Sequence, residues 1–393
     1  MTAQPLTAKH RIESIDILRG LIMLIMAIDH TRDFFHAGHP EPTDLAVTTP
    51  LLFFTRWITH FCAPIFVFLS GVSAYLAGTR RTKSQFSAFL IKRGLWLLAI
   101  EFLVVRLAQT GDPFFHTIIF QVIWAIGGSM VLLGLLVWAP LTVICIIGAL
   151  IFFGHDILYL VNVGAVGNTF LWKLLLSGRG FGDVWVIDSD HIMIMAYALL
   201  PWTGVMLLGY VFGTLYKKDA DAAKRRKTLL NWGLGLLALF VVLRYFNFYG
   251  DPAPWSSQKT ASLSIISFFN VSKYPPSLLY LCMTLGAALI ALSQTETVKN
   301  KLTDILVIYG NVPMFYYLCH WYLLLITFIS LYLGSGYHLN QFDPKTGQPP
   351  ASFGYGLGGV YLVWLIAIII LYFPCRWYSK YKRAHTQWWL SYL

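Results

Sequence analysis

Arg19 and His30 lie eleven residues apart, in an apolar stretch that begins near Ile15. Eleven residues is about three helical turns, so the two side chains share one face, roughly 16 Å apart along the axis. One end of that face carries a fixed cation and the other a titratable base. A guanidinium holds phosphate-bearing ligands through paired hydrogen bonds. A neutral imidazole takes a proton from a hydroxyl or an amine. Such a pair suits a ligand held at one membrane surface with its reactive end reaching toward the other. Acyl-coenzyme A has that shape, with Arg93 and Lys92 as further cations for its phosphates. The route requires an open path from Arg19 to His30, and a packed apolar plug between them would defeat it.

More charge collects at the His30 end. In Asp29-His30-Thr31-Arg32-Asp33, a spacing of three sets Asp29 with Arg32 and His30 with Asp33 on the helix surface. Asp33 or Asp29 would orient the imidazole and stabilise its charged form. Arg56, His60, Glu101 and Arg106 come at the same end of the next two apolar runs. Arg56, Glu101 and Lys273 are the candidates for the acceptor. His36 is the alternative base to His30, and His30 could instead carry the acyl group as a nucleophile. Ionisable groups inside a membrane are costly and by default mark function.

Plainer readings stand beside these. Arg19 could be a snorkelling anchor paired with Asp16, and His30 a packing histidine. Arg56 and Glu101 could form one structural ion pair. His36 and His39 could be solvated loop residues. His320, beside Tyr316, Tyr317 and Trp321, reads more readily as a structural histidine.

The elements that must position these groups are membrane-spanning helices. The chain has 393 residues, 57% hydrophobic and 12% charged, where a soluble domain carries roughly 25% charged. Ten apolar runs are legible, at about 15–35, 50–78, 87–108, 117–139, 141–161, 191–216, 229–248, 274–293, 304–333 and 355–374. The expectation is an all-α polytopic bundle of about ten transmembrane helices. A cytoplasmic segment 1–14 precedes one domain over 15–374, and a cytoplasmic tail 375–393 follows. Segment 1–14 lacks the pattern of a signal peptide.

With the N-terminus inside, most of the 29 basic residues fall in inner segments. They include Lys9, Arg11, Arg80, Arg81, Lys83, Lys217, Lys218, the Lys224–Lys227 run, Lys299, Lys301 and Arg376. That asymmetry places both termini in the cytoplasm. Ser14 is read as the N-cap of the first helix, with Asp16 in its first turn. Pro275 and Pro276 suit the first turn of the eighth span, and Pro313 kinks the ninth. Small residues in Ser70-Gly-Val-Ser-Ala74 and Gly127-Gly-Ser129 permit close helix contact. The five cysteines form no CxxC, and no Walker loop, Rossmann fingerprint or HExxH is present. Neither a metal nor nucleic acid is expected.

Ser14-Ile-Asp-Ile-Leu-Arg-Gly20 followed by Asp29-His30 resembles the opening of the transmembrane acyltransferase superfamily, with its Arg-x10-His signature. The closer resemblance is to a bacterial branch similar to heparan-alpha-glucosaminide N-acetyltransferase. It runs through Phe54-Thr-Arg56-Trp-Ile-Thr-His-Phe-Cys-Ala-Pro64, Lys92-Arg-Gly-Leu-Trp96, Trp124-Ala-Ile-Gly127, Tyr249-Gly-Asp-Pro252 and Lys273-Tyr-Pro-Pro-Ser277. The resemblance implies about ten core helices in a bacterial cytoplasmic membrane. It implies transfer of an acyl group, usually acetyl, from cytosolic acyl-CoA to an extracytoplasmic glycan or small-molecule acceptor. The animal lysosomal relative uses a histidine in the loop after its first core helix. The corresponding stretch here is shorter and offers His36 or His39 as well as His30. A homodimer is a further possibility. Two rivals remain: a proton-coupled small-molecule transporter and a non-catalytic membrane scaffold. A transporter would favour paired internal repeats, which this chain does not display.

Overall fold

The computed structural model describes residues 12–160, 164–176, 183–217, 219–343 and 347–391. Lys9, Arg11 and Lys218 lie outside the described residues. In chain order the helices are α1 (Glu13–Phe35), α2 (Pro50–Thr59), α3 (Cys62–Gly78), α4 (Lys83–Ile100) and α5 (Arg106–Thr110). A π-helical turn, Glu101–Val105, joins α4 to α5. Strand β1 (Thr117–Ile119) precedes α6 (Val122–Leu136), α7 (Leu141–Gly154), α8 (Ile157–Leu160) and α9 (Phe170–Leu176). Then come β2 (Asp183–Val186), β3 (Ile192–Met195), α10 (Leu199–Phe212), α11 (Ala222–Phe246), α12 (Ala261–Phe269) and α13 (Leu278–Thr295). The chain closes with α14 (Lys301–Asn311), α15 (Pro313–Gly334) and α16 (Leu357–Ala384).

Seven of the described helical segments are long and apolar enough to cross a membrane. They are Pro50–Gly78, Leu141–Leu160, Leu199–Tyr216, Ala222–Phe246, Leu278–Thr295, Pro313–Gly334 and Leu357–Ala384. The shorter Val122–Leu136 is also apolar. The outward faces are greasy: Leu150, Phe246, Leu362 and Phe373 are all exposed. Apolar side chains displayed so widely are solvated by lipid, and the protein is an integral membrane protein.

Several local expectations are corrected. The chain is mostly helical and fits the expected all-α membrane bundle, to which β1, β3 and β2 add a small three-stranded sheet in that order. The runs at 117–139 and 191–216 therefore each begin as a strand. Strands this short, inside long apolar runs, leave no alternation to read. The N-cap of α1 is Ile12, and Ser14 is buried inside the helix. Pro275 and Pro276 precede α13, whose N-cap is Ser277, accepting from the Tyr280 amide.

Two spans break at proline. Pro64 has no N–H for the His60 carbonyl, and the Tyr280 hydroxyl donates to it at 2.7 Å instead. Pro313 likewise leaves the Tyr309 carbonyl, which accepts from the Val312 amide at 3.2 Å. Val312, held before a proline, is non-helical (φ −131°, ψ 49°) and divides the ninth run into α14 and α15.

Small residues bring the helices together as expected. Gly71 and Gly209 meet backbone across α3 and α10, and Gly127 meets the Gly94 carbonyl across α6 and α4. On α1 and α14, Gly20 faces the Leu306 carbonyl and Gly310 the Asp16 carbonyl. These contacts hold α1 in the centre of the bundle, against α3, α14, α15 and α16.

Candidate functional site

The last turns of α1 bring Asp29, His30, Arg32 and Asp33 to a cavity of about 450 Å³. Arg56 and Cys62 from α2 and α3 line its side, with Gln121 and Tyr197 from the segments flanking the sheet. Lys273 and Tyr274 close it from the stretch before α13, and Trp321 from α15 forms the base. His36, His39 and Glu41 stand in the loop at its mouth.

Asp29 is the electrostatic centre. Arg56 Nη1 donates to its Oδ2, and Arg32 Nη2 lies 3.1 Å from its Oδ1. The Asp29–Arg32 pair matches the helical spacing. His30 and Asp33 do not pair: half-exposed Asp33 turns to Arg32 at 2.7 Å. Arg56 and Glu101 do not pair either. Buried Glu101 accepts the Gln121 backbone N–H at 3.1 Å, and its Oε2 has no hydrogen-bond partner. The π turn, in which the Arg106 amide bonds back to the Glu101 carbonyl, widens the helix at that position.

His30 finds its partner on α15. Its Nδ1 lies 2.7 Å from His320 Nε2, and its ring stacks on Trp321 with centroids 4.1 Å apart. His320 Nδ1 lies 3.3 Å from the Tyr316 carbonyl, which can only accept. With neutral rings the proton order follows. His320 carries hydrogen on Nδ1, its Nε2 accepts from His30 Nδ1–H, and the lone pair of His30 is on Nε2. Thus the imidazole of His30 is hydrogen-bonded by His320, and not by Asp29 or Asp33. His320 stood out as a polar residue in an apolar run, but its pairing with His30, 290 positions away, did not.

Arg19 is placed elsewhere. Its guanidinium bonds Asp16 at 3.0 Å, the Ser73 hydroxyl at 3.0 Å and the Gly310 carbonyl at 3.2 Å. It does not line the cavity, whose last contact on α1 is Met26. Buried Ile22 and Met23 fill the helix between, and Cys62 Sγ lies 3.7 Å from the Ile22 carbonyl. The expected path along the Arg19 face is thus packed shut in this structure. Lys92 and Arg93 sit on α4, also away from the cavity, with Lys92 exposed.

His36 and His39 lie beyond the helix. Burial and the Arg32 cation hold the His36 imidazole below its ordinary value of 6.5. Burial lowers His39 too, against the pull of Asp33. His36 is fixed by its backbone: the chain after α1 pairs with Tyr355, Ala37 N donating to its carbonyl at 3.0 Å.

Tyr274 had been quoted only as part of a motif. It lines the cavity, with the Lys273 ammonium 5.1 Å from its ring centroid. Among the described residues no group of three or more His, Cys, Asp or Glu is placed to hold a metal ion.

Fold and site together define a helical integral membrane protein with a buried imidazole pair opening on a polar, cation-rich cavity. Residues 11–243 match the family of heparan-alpha-glucosaminide N-acetyltransferase catalytic domains, and the chain belongs to that family. No curated protein matches the chain. The matched stretch carries Arg19, Asp29, His30, Arg56 and Glu101. Lys273, Tyr274 and Trp321, which complete the cavity, and His320, the partner of His30, lie beyond it.

Proposed function

We propose that the protein is a membrane-embedded acyltransferase that moves an acyl group, acetyl first, from cytosolic acyl-CoA to an extracytoplasmic sugar or related amine or hydroxyl. The family supports acetyl transfer. The observation that carries the reading is the contact of His30, on the wall of a cavity that also holds Arg56 and Lys273, with His320 behind it at 2.7 Å. His30 Nε2 takes the proton from the attacking amine or hydroxyl, and His320 holds the ring and shares the positive charge. Attack by the acceptor on the thioester carbon then expels the thiolate, with no acyl-histidine needed. Arg56 and Lys273 supply positive potential where negative charge develops on the acyl oxygen. His36, at the mouth, meets the acceptor rather than the acyl carbon.

In this reading the bundle has ten spans. The three beyond the seven long apolar helices are α1, α4 with α5, and α6. Both termini are cytoplasmic, in a bacterial cytoplasmic membrane. The cavity then opens outward, and Arg19, tied to Asp16, Ser73 and Gly310, braces the inner half of α1 rather than holding the donor. Lys92 and Arg93 lie on the donor's side.

The test uses purified protein in lipid nanodiscs with acetyl-CoA and glucosamine. Thiol release and acetylated sugar are expected together, and His30→Ala is expected to cut both by about 10²–10⁴-fold. Full activity of His30→Ala removes His30 from the reaction. Solute counterflow with no thiol release replaces the reading with a carrier.

A further inference from the structure

His30 is walled in by α15. Its Nδ1 meets His320 Nε2 at 2.7 Å, so one ring edge is taken. One ring face lies on the indole of Trp321, with centroids 4.1 Å apart and the planes within 26° of parallel. Trp321 is buried and is itself gripped. Phe34 and Tyr317 meet it nearly at right angles, with centroids at 6.0 Å and 6.5 Å. Phe34 in turn packs on Phe328 at 5.4 Å. With an edge bonded and a face stacked, the imidazole has one orientation. Swinging it about its side-chain torsions would break both contacts.

Charge on that ring is the difficulty. A base that accepts a proton inside a protein becomes a cation, which is costly there without a partner. The carboxylates nearby are already engaged. Asp29 serves Arg56 and, at 3.1 Å, Arg32, while Asp33 turns to Arg32 at 2.7 Å. Glu41, exposed at the mouth, accepts the Thr43 hydroxyl at 2.7 Å. Glu101 accepts the Gln121 amide. Among the described residues no carboxylate forms an ion pair with His30. The same cavity wall adds three cations, Arg32, Arg56 and Lys273, and its mouth adds the imidazoles of His36 and His39. What the structure sets against His30 is the face of an indole. That face is the negative part of the ring quadrupole, and tryptophan is the best aromatic partner for a cation.

Resting on the acyl-transfer reading above, we propose that Trp321 is a positioning residue whose indole face fixes the His30 ring and stabilises the positive charge that ring takes up in the reaction. The acceptor's nitrogen or oxygen lone pair forms the new bond to the acyl carbon, and its proton passes to the lone pair on His30 Nε2. The thiolate leaves with the C–S bonding pair and takes up that proton, which returns the ring to neutral. Between those two proton transfers His30 is an imidazolium stacked on Trp321. The indole attracts the imidazolium more strongly than the neutral ring. Its contribution therefore grows as the proton arrives, which is the kind of interaction that raises kcat rather than lowering KM. His320 acts at the ring edge and Trp321 on the ring face, so neither replaces the other.

The test places tryptophans bearing one to four fluorines on the benzo ring at position 321 by nonsense suppression, in the full chain in lipid nanodiscs. Fluorine draws electron density from the ring face and changes its shape little. With acetyl-CoA and glucosamine, kcat is expected to fall with each added fluorine, by about 5–30-fold over the series. The KM for acetyl-CoA is expected to stay within a few-fold, and the melting temperature to stay constant. Trp321→Phe, which keeps a weaker face, is expected to lose less activity than Trp321→Leu, which keeps none. A role limited to packing would leave kcat level across the fluorinated series. That result overturns the assignment and leaves the acyltransferase standing. No transfer by the unmodified protein overturns both.

Discussion

His30 and His320 are 290 positions apart in the chain and 2.7 Å apart in space. That contact explains what was and was not legible in the sequence. A histidine in an apolar run announces itself by type, and both residues did. Its partner is set by how α1 packs on α15, and no local spacing encodes that. The Asp29–Arg32 pair was legible because it obeys the three-residue rule within one helix. The expected His30–Asp33 pair obeyed the same rule and lost, because Arg32 offers Asp33 a full charge where a neutral ring does not. If the two imidazoles act as one unit, their deletions are not additive. His30→Ala and His320→Ala should each lower kcat severely, and the double variant little further, in acetyl-transfer assays. Asp29 carries a different burden. Asp29→Ala strands Arg56 and Arg32 in a buried setting and should cost about 3–5 kcal/mol of stability, read as a lower melting temperature in detergent.

The helices themselves were largely readable from hydropathy, and the breaks at Pro64 and Pro313 follow from an amide hydrogen that proline lacks. The sheet was not readable, since its strands are three or four residues long. What places α1 is glycine. A side chain at Gly20 would strike the Leu306 carbonyl, and one at Gly310 the Asp16 carbonyl. Gly310→Val should therefore destabilise by about 1–3 kcal/mol or more through overpacking. Gly334→Ala, with nothing within 4 Å, is the control.

The turn between β2 and β3 has its own chemistry. The Asp190 amide and the His191 ring hold the Asp188 carboxyl below its ordinary 3.8, and the Asp188 hydrogen bond lifts the His191 imidazole above its ordinary 6.5. The carboxyl's contribution is complete above 3.8 and lost as pH falls through its lowered value. The imidazole's is complete below 6.5 and lost as pH rises through its raised value. Protection factors of the amides in this turn, corrected for intrinsic exchange, should be highest between those limits, and His191→Ala should flatten the profile.

Taken as one object, the molecule is a lipid-facing shell around a charged interior. In the proposed orientation the Lys224–Lys227 run lies on one side of the membrane and the sheet and cavity mouth on the other. A cysteine at Asp188 should react with an impermeant thiol reagent on intact cells, and one at Lys227 only after permeabilisation. The reverse pattern would turn the cavity toward the cytoplasm. The most direct test of the whole account encloses radiolabelled acetyl-CoA in right-side-out membrane vesicles, with glucosamine outside. The account predicts labelled N-acetylglucosamine in the external medium from vesicles bearing the unmodified protein, and background label from His30→Ala vesicles. Equal label from both would contradict it.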